Sequence, residues 1–247
     1  MIIGMVRYAI PNAFGKKDNS RSVLQLYEEP YFSDRLNIFK NITLESFRQQ
    51  TCKDFKLLIY QTELIPSDKK EIFDNLEKEY GFIKNVYIPD KNMYVPDELK
   101  EDKFLTFRID NDDGIATDFI ENLQKIKTEY DKDLVISTPK YYRIGRYGAN
   151  VYKLLQRSFV SNSIGIAYLS KSGKTVIDLG NHRFLVENNE SKLLKGNRGL
   201  QVINGYNVAN RFKNDPTVKT LSYKDAKEFL IKKQYGDLDI SVLPILN

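Results

Sequence analysis

Short apolar, β-prone runs alternate with segments of helical periodicity over the first 140 residues of the chain. Residues 1–9, 55–60, 82–88, 104–109 and 134–137 read as strands, rich in Ile, Val, Leu, Phe and Tyr. Helical patterns lie between them. Ser33 is placed to cap a helix running to about Gln50, with Leu36, Phe39, Thr43 and Phe47 on one stripe. Pro66-Ser67-Asp68 opens another, with Ile72, Phe73, Leu76 and Tyr80 inward and Gly81 at its end. Thr117 caps a third, in which Phe119, Leu123, Ile126 and Tyr130 recur at helical spacing. A crossover between parallel strands needs about a dozen residues or more, and a helix is its usual form. The alternation therefore predicts an α/β fold with a mainly parallel central sheet flanked by helices.

The rest of the chain reads differently. Residues 11–29 are polar, with Gly15 and the run Lys16-Lys17-Asp18-Asn19-Ser20, and suggest a long loop. Residues 164–169 and 175–179 read as two short strands joined by a hairpin-like turn over 170–174. Residues 222–234 form a last helix, basic through Lys224, Lys227, Lys232 and Lys233, with Phe229 and Leu230 as apolar contacts. A smaller, mixed second half is expected to follow the parallel sheet.

One strand ends unusually. Phe104-Leu105-Thr106-Phe107-Arg108-Ile109 runs into Asp110-Asn111-Asp112-Asp113-Gly114. A strand's side chains alternate between faces, so Leu105, Phe107 and Ile109 share one face and Thr106, Arg108 and Asp110 the other. Three carboxylates then fall past the strand's end, where open α/β sheets bind ligands. Packed like charges repel unless a cation offsets them. A hard divalent metal carrying phosphate oxygens suits such a cluster. A solvated turn before a helix is the plainer alternative, because Asp, Asn and Gly all favour turns. A calcium loop of the EF-hand kind is not supported. Glu121 falls at the twelfth position from Asp110, but Gly114 comes one place early and a strand precedes the loop.

Composition narrows the chemistry further. The chain has one cysteine, Cys52, and one histidine, His182. No intramolecular disulfide can form, and a structural zinc site has too few ligands. No Gly-x-Gly-x-x-Gly follows the first strand, no Walker lysine motif or Gly-x-Ser-x-Gly elbow is present, and a Ser-His-Asp triad would have to use His182. The chemistry falls to carboxylates, arginines and a metal. The net charge is +5, with the lysines and arginines spread along the chain. That suits an anionic substrate or membrane surface and is too dispersed to indicate nucleic acid. No apolar run approaches the roughly 20 residues that cross a bilayer, and the N-terminal segment lacks the shape of a secretory signal. A cytoplasmic protein is expected, peripheral to the inner face of the membrane at most.

Four segments in order resemble those of the rhamnosyltransferase family of bacterial glycan-assembly enzymes, which belongs with nucleotide-sugar glycosyltransferases of the GT-A fold. The first is Val6-Arg7-Tyr8 at the end of the first strand. The second is residues 35–58, with Leu44-Glu45-Ser46-Phe47, Gln50-Thr51 and Asp54-Phe55. The third is Thr106-Phe107-Arg108-Ile109-Asp110-Asn111-Asp112-Asp113. The fourth combines Asn181-His182 with residues 200–210.

The resemblance implies a metal-dependent transferase. It would move a sugar such as rhamnose from a UDP- or dTDP-linked donor to a glycan or lipid-linked glycan, with Mn2+ or Mg2+ as cofactor. A non-catalytic nucleotide- or glycan-binding relative, or a metal-dependent hydrolase, are the alternatives. Residues 1–140 would form the nucleotide-binding half of one domain, 141–215 an acceptor and metal-closing half, and 216–247 a basic helix and tail. Asp112 would ligate the metal directly, Asp110 would hold the ribose or a metal-bound water, and Asp113 would assist. Arg7, Thr106 and Arg108 would face the nucleotide. Related enzymes often place an aspartate after the second strand to read the base. This chain has Tyr60-Gln61-Thr62-Glu63, which leaves that task to Gln61 or Glu63. His182 would serve the metal or the diphosphate. Asp178 is the first choice for a general base, with Glu187 and Glu190 the other acids nearby. Residues 141–143 and 146–148 offer aromatic and basic groups to acceptor sugars. The last helix offers its lysines to a membrane surface.

Overall fold

The computed structural model describes residues 1–10, 24–204, 212 and 215–246. Much of the expected loop over 11–29, and residues 205–210 of the fourth resembling segment, lie outside the described residues.

The described strands make two sheets. The first contains β1 (Ile2–Ala9), β2 (Phe55–Thr62), β3 (Ile83–Ile88), β4 (Phe104–Asp110), β6 (Leu134–Ser137), β9 (Ala167–Ser170) and β10 (Ser191–Leu193). Their order is β10-β6-β9-β4-β1-β2-β3. β9 runs antiparallel between β4 and β6, and the other pairings are parallel. The second sheet contains β5 (Gly114–Ile115), β7 (Lys140–Gly148), β8 (Val151–Ser158), β11 (Asn197–Ile203) and β12 (Lys219–Leu221), in the order β12-β8-β7-β11-β5. An α/β fold with a mainly parallel sheet and a smaller mixed second half is therefore present, as the alternation predicts.

Helices cover the first sheet on one face. A continuous helical segment runs through α1 (Tyr31–Ile38), a π-helical stretch (Phe39–Leu44) and α2 (Glu45–Arg48). It joins α3 (Ser67–Glu79) and α4 (Phe119–Glu129) over a core that includes Leu57, Ile59, Leu105, Phe107 and Ile109. The opposite face, with Ile3, Met5, Leu58 and Tyr60, is closed by Val95, Val176 and Leu185. A second core lies between the second sheet, α6 (Tyr223–Lys232) and the tail, where Tyr235, Leu238, Ile240 and Leu243 are buried.

Several local expectations are corrected. The first helix starts before Ser33, whose N–H donates instead to Glu29 Oε2. Thr117 does not cap α4. Its cap position is Asp118, and the Ile120 N–H donates to Gln50 Oε1 from across the fold. Gln50 Nε2 donates in turn to the carbonyls of Ser46 and Ala116. The Gln50-Thr51 pair therefore ties α2 to the chain leaving the acidic turn.

The strand expected over 164–169 begins only at Ala167, because Gly165 takes a left-handed backbone at φ 70°. The strand expected over 175–179 does not form. Its Thr175–Asp178 span closes as a turn, and the Val176 N–H is spent on the Thr106 hydroxyl. Residues 141–148, expected to offer aromatic and basic groups to acceptor sugars, lie in β7, the antiparallel partner of β8. Alternation along β7 turns Tyr142 onto Phe229 and Tyr235, while Arg146 donates to the carbonyls of Ser241 and Leu243. Tyr142 and Arg146 thus hold α6 and the tail, while Arg143 on the other face donates to Gln201 Oε1 at 2.8 Å.

Candidate active site

Sheet order positions the site. β1, β2 and β3 are laid down in one direction, and β4 adds on the other side of β1. The winding reverses between β1 and β4, and open α/β sheets bind ligands outside the carboxyl ends at such a reversal. Parallel register sets Arg7 abreast of Asp110 and Met5 abreast of Arg108. Arg7 Nη2 lies 3.1 Å from Asp110 Oδ1, and Arg108 Nη2 lies 3.5 Å from the same oxygen. Arg108 Nη1 lies 3.5 Å from His182 Nδ1, at the start of a short helical turn (His182–Phe184). A guanidinium only donates, so this Nδ1 accepts and the ring proton sits on Nε2.

The electrostatics follow from that packing. Burial opposes the charge on Asp110, but the guanidiniums of Arg108 and Arg7 outweigh it and bring its pKa down to about 2. Burial, then the Arg108 charge, lowers His182 to about 4, so its ring is neutral at physiological pH. Arg108 is buried, and its Nε has no partner among the described residues.

The three carboxylates do not converge. Asp113 turns inward. Its Oδ1 accepts the Val202 N–H of β11 at 3.1 Å, and its carbonyl accepts the Thr43 hydroxyl at 2.8 Å. Burial and the neighbouring Asp112 and Asp110 push its carboxyl well above the usual range. Asp112 Oδ2 accepts Asn204 Nδ2 at 2.9 Å. Asn111 Oδ1 accepts Arg35 Nη2 at 2.6 Å, and that guanidinium stands 5.3 Å over the rings of both Tyr8 and Tyr31. Among the described residues no three His, Cys, Asp or Glu side chains gather as a metal cage. Mg2+ and related ions arriving with a phosphate need only one or two carboxylates, the rest of the shell being phosphate and water. Asp112 supplies one such carboxylate at the strand's end. The donor set fits a cation carried on a nucleotide rather than one enclosed by protein.

Arg7, Arg108, Asp110 and His182 are thus brought together, with Asp112 on the same turn. His182 is set against a guanidinium rather than in a carboxylate shell, surroundings that suit an anion better than a cation. Thr106 is fully buried, and its hydroxyl accepts the Val176 N–H at 2.8 Å, so it anchors that loop and does not face a nucleotide. Gln61 shares the opposite sheet face with Leu57 and Ile59, fully buried, its Oε1 3.4 Å from the Tyr27 hydroxyl. Asp178 is exposed, and its Oδ2 accepts both the N–H and the hydroxyl of Thr175, at 2.7 and 2.9 Å. Its carboxylate serves its own turn. Arg35 and Asn204 join the site unannounced. Arg35 opens the second resembling segment and Asn204 lies within the fourth, but nothing in local spacing tells that they reach the acidic turn.

The family model described as Putative rhamnosyl transferase matches residues 1–215. No curated protein matches the sequence. Among solved structures, residues 1–349 of S. aureus TarS in complex with UDP align at a TM-score of 0.46 and 8% identity, over 83% of this chain and 61% of that one. Without ligand the same protein gives 0.45 and 10%, over 82% and 60%. A structure described as a Putative Glucose-1-Phosphate Thymidylyltransferase from Bacillus anthracis gives 0.39 and 8%, over 79% and 87%. The chain spans about 60% of the length of the TarS chains in those two alignments.

Proposed function

The chain belongs to the Putative rhamnosyl transferase family, and we propose that it transfers a sugar such as rhamnose from a UDP- or dTDP-linked donor to a glycan or lipid-linked glycan. The observation that carries this reading is the convergence of Arg7 and Arg108 on Asp110 at the point where the sheet's winding reverses. Breaking the bond between sugar and diphosphate puts negative charge on the departing oxygens. Fixed donors aimed at that charge are commonly the largest catalytic contribution in such a site. Arg7 and Arg108 supply two planar forks that match paired phosphate oxygens. Asp110 holds both forks in one place and compensates their charge before the donor binds. His182, neutral, donates from Nε2 to a phosphate oxygen without adding a charge to be desolvated.

A divalent cation held by Asp112 and Asp110 would add further neutralisation of the diphosphate when bound. Asn204 orients Asp112 for that role. Three buried polar atoms without partners among the described residues lie at or just past the ends of β1, β2 and β4: the Tyr8 hydroxyl, Gln61 Nε2 and Asn111 Nδ2. They are donors that the carbonyl oxygens of uracil or thymine would satisfy. Gln61 reaches a base only if the cover given by Tyr27 opens.

Thermal denaturation with UDP, dTDP and GDP, each with and without Mn2+, tests the reading. A ligand at 100 times its dissociation constant stabilises the native state by about 2.7 kcal/mol, a shift of roughly 5–10 °C for a chain of this size. UDP or dTDP is expected to give that shift, larger with Mn2+. Asp112→Ala should keep the unliganded transition and lose the Mn2+-dependent part. No shift with any of the three nucleotides sinks the proposal.

A further inference from the structure

Phe159, Val160, Phe184 and Leu193 are large apolar side chains standing about half exposed, between 45% and 53%. They belong to separate segments that the fold brings to one edge. Leu193 lies across from Ser137 at the carboxyl end of β6. The Ser137 hydroxyl donates to the Val160 carbonyl, and the Phe159 N–H donates to the Pro139 carbonyl at 2.7 Å. These three residues therefore surround the end of one strand. Phe184 enters α5 (Leu185–Asn188), and Leu185 packs in the same core cluster as Val135 of β6. Strand alternation puts Val135, Ser137 and Leu193 on that same face.

The surroundings are basic. Lys140, Arg183 and Lys195 are exposed near these four positions, while Lys192 alternates to the other face and donates to the Tyr130 hydroxyl at 2.9 Å. Of the acids nearby, Glu190 is paired with Lys132, which leaves Glu187. Single exposed apolar residues are ordinary, but several brought together from separate segments with cations beside them are not. We propose that this edge docks on an anionic lipid surface, with the apolar tips entering the headgroup region and the cations lying over lipid phosphates. Charge decides the occupant. A symmetric pair of copies joined through this patch would set lysines and arginines against their own images, since a two-fold interface uses the same surface twice. An anionic bilayer offers the opposite sign. The edge is one turn from His182, so docking would hold the candidate site close to acceptors carried in the membrane. Of the basic α6 expected for this role, Lys227 pairs with Asp237 at 2.6 Å and Lys224 lies 3.9 Å from Glu228.

Docking goes beyond the donor reading and is tested without turnover. The full chain is sedimented with vesicles of phosphatidylcholine containing phosphatidylglycerol, and with phosphatidylcholine alone. Partition into the anionic vesicles is expected, weakened by salt. A triple variant, Phe159→Ser with Val160→Ser and Leu193→Ser, should lower the partition coefficient at least about tenfold, given what burying one such side chain contributes. Its thermal transition with and without UDP should match wild type, which reports on the fold and on donor binding separately. Absence of sedimentation by the wild-type chain, or equal sedimentation of the variant, overturns the proposal. A concentration-dependent dimer of the wild-type chain that the triple variant abolishes would assign the patch to a second copy and overturn it as well.

Discussion

Asp110 and Asp113 are three residues apart and meet opposite fates, because each answers to what packs on it. Asp110 faces two guanidiniums and stays ionised far into acid. Asp113 faces a backbone N–H in a buried place, where a proton is cheaper than a charge. The two sites call for different substitutions. Arg108→Lys keeps the charge but loses the fork, and is expected to weaken UDP binding about tenfold, or about 1.4 kcal/mol, by titration calorimetry. Unchanged affinity would remove Arg108 from the diphosphate site. Asp113→Ala leaves the Val202 N–H buried without an acceptor and should cost about 1–3 kcal/mol in urea denaturation. Asp113→Asn keeps an acceptor oxygen and should cost less than about 1 kcal/mol. Equal losses in the two variants would mean that the hydrogen bond is not what Asp113 provides.

At the level of elements, β1 packs closely between β4 and β2, and Gly4 leaves room for that packing. A Cβ there would meet Leu57 Cδ2 at 2.4 Å and Phe107 Cζ at 2.5 Å. Phe107 fills that space, stacked on Phe47 at 5.7 Å and edge-on to Phe119 at 5.2 Å. The same strand pair carries Arg7 and Asp110, so close packing in the middle of β1 and β4 supports the register at their ends. Gly4→Ala is expected to destabilise by about 1–3 kcal/mol through overpacking. A urea midpoint equal to wild type would mean that the core yields freely. β4 was legible from its period of two, because alternation is a local property and both faces are buried. The β7–β8 hairpin was not. Its tyrosines and arginines mark a surface loop as readily as a strand. Pairing with β11 and β12, and the tail packed over Tyr142, Ile144, Tyr152 and Leu154, make it one.

On the scale of the molecule, the family match stops at residue 215 but the packing does not. Ala226, Leu230, Tyr235, Leu238, Ile240 and Leu243 are buried against the second sheet, each at most 1% exposed. A chain ending at residue 215 uncovers that face. It is expected to lose cooperative thermal unfolding and to bind a dye for exposed apolar surface, as loosely packed states do. A sharp transition in that fragment would show the tail to be dispensable. By itself the sequence determined the α/β class, the parallel strands and the acidic turn past β4. Periodicity and turn chemistry are written in neighbouring residues and need no partner to be read. Only the tertiary structure decided which polar groups meet. Arg7 and Asp110 are 103 residues apart and are joined by register. Asp112 and Asn204 are 92 apart and are joined across two sheets. Thr106, expected at the site, is engaged by the Val176 N–H from 70 residues away, and Gln61 is covered by Tyr27 from 34 residues away. A buried polar group must find a partner, and which one it finds depends on packing that no local pattern encodes.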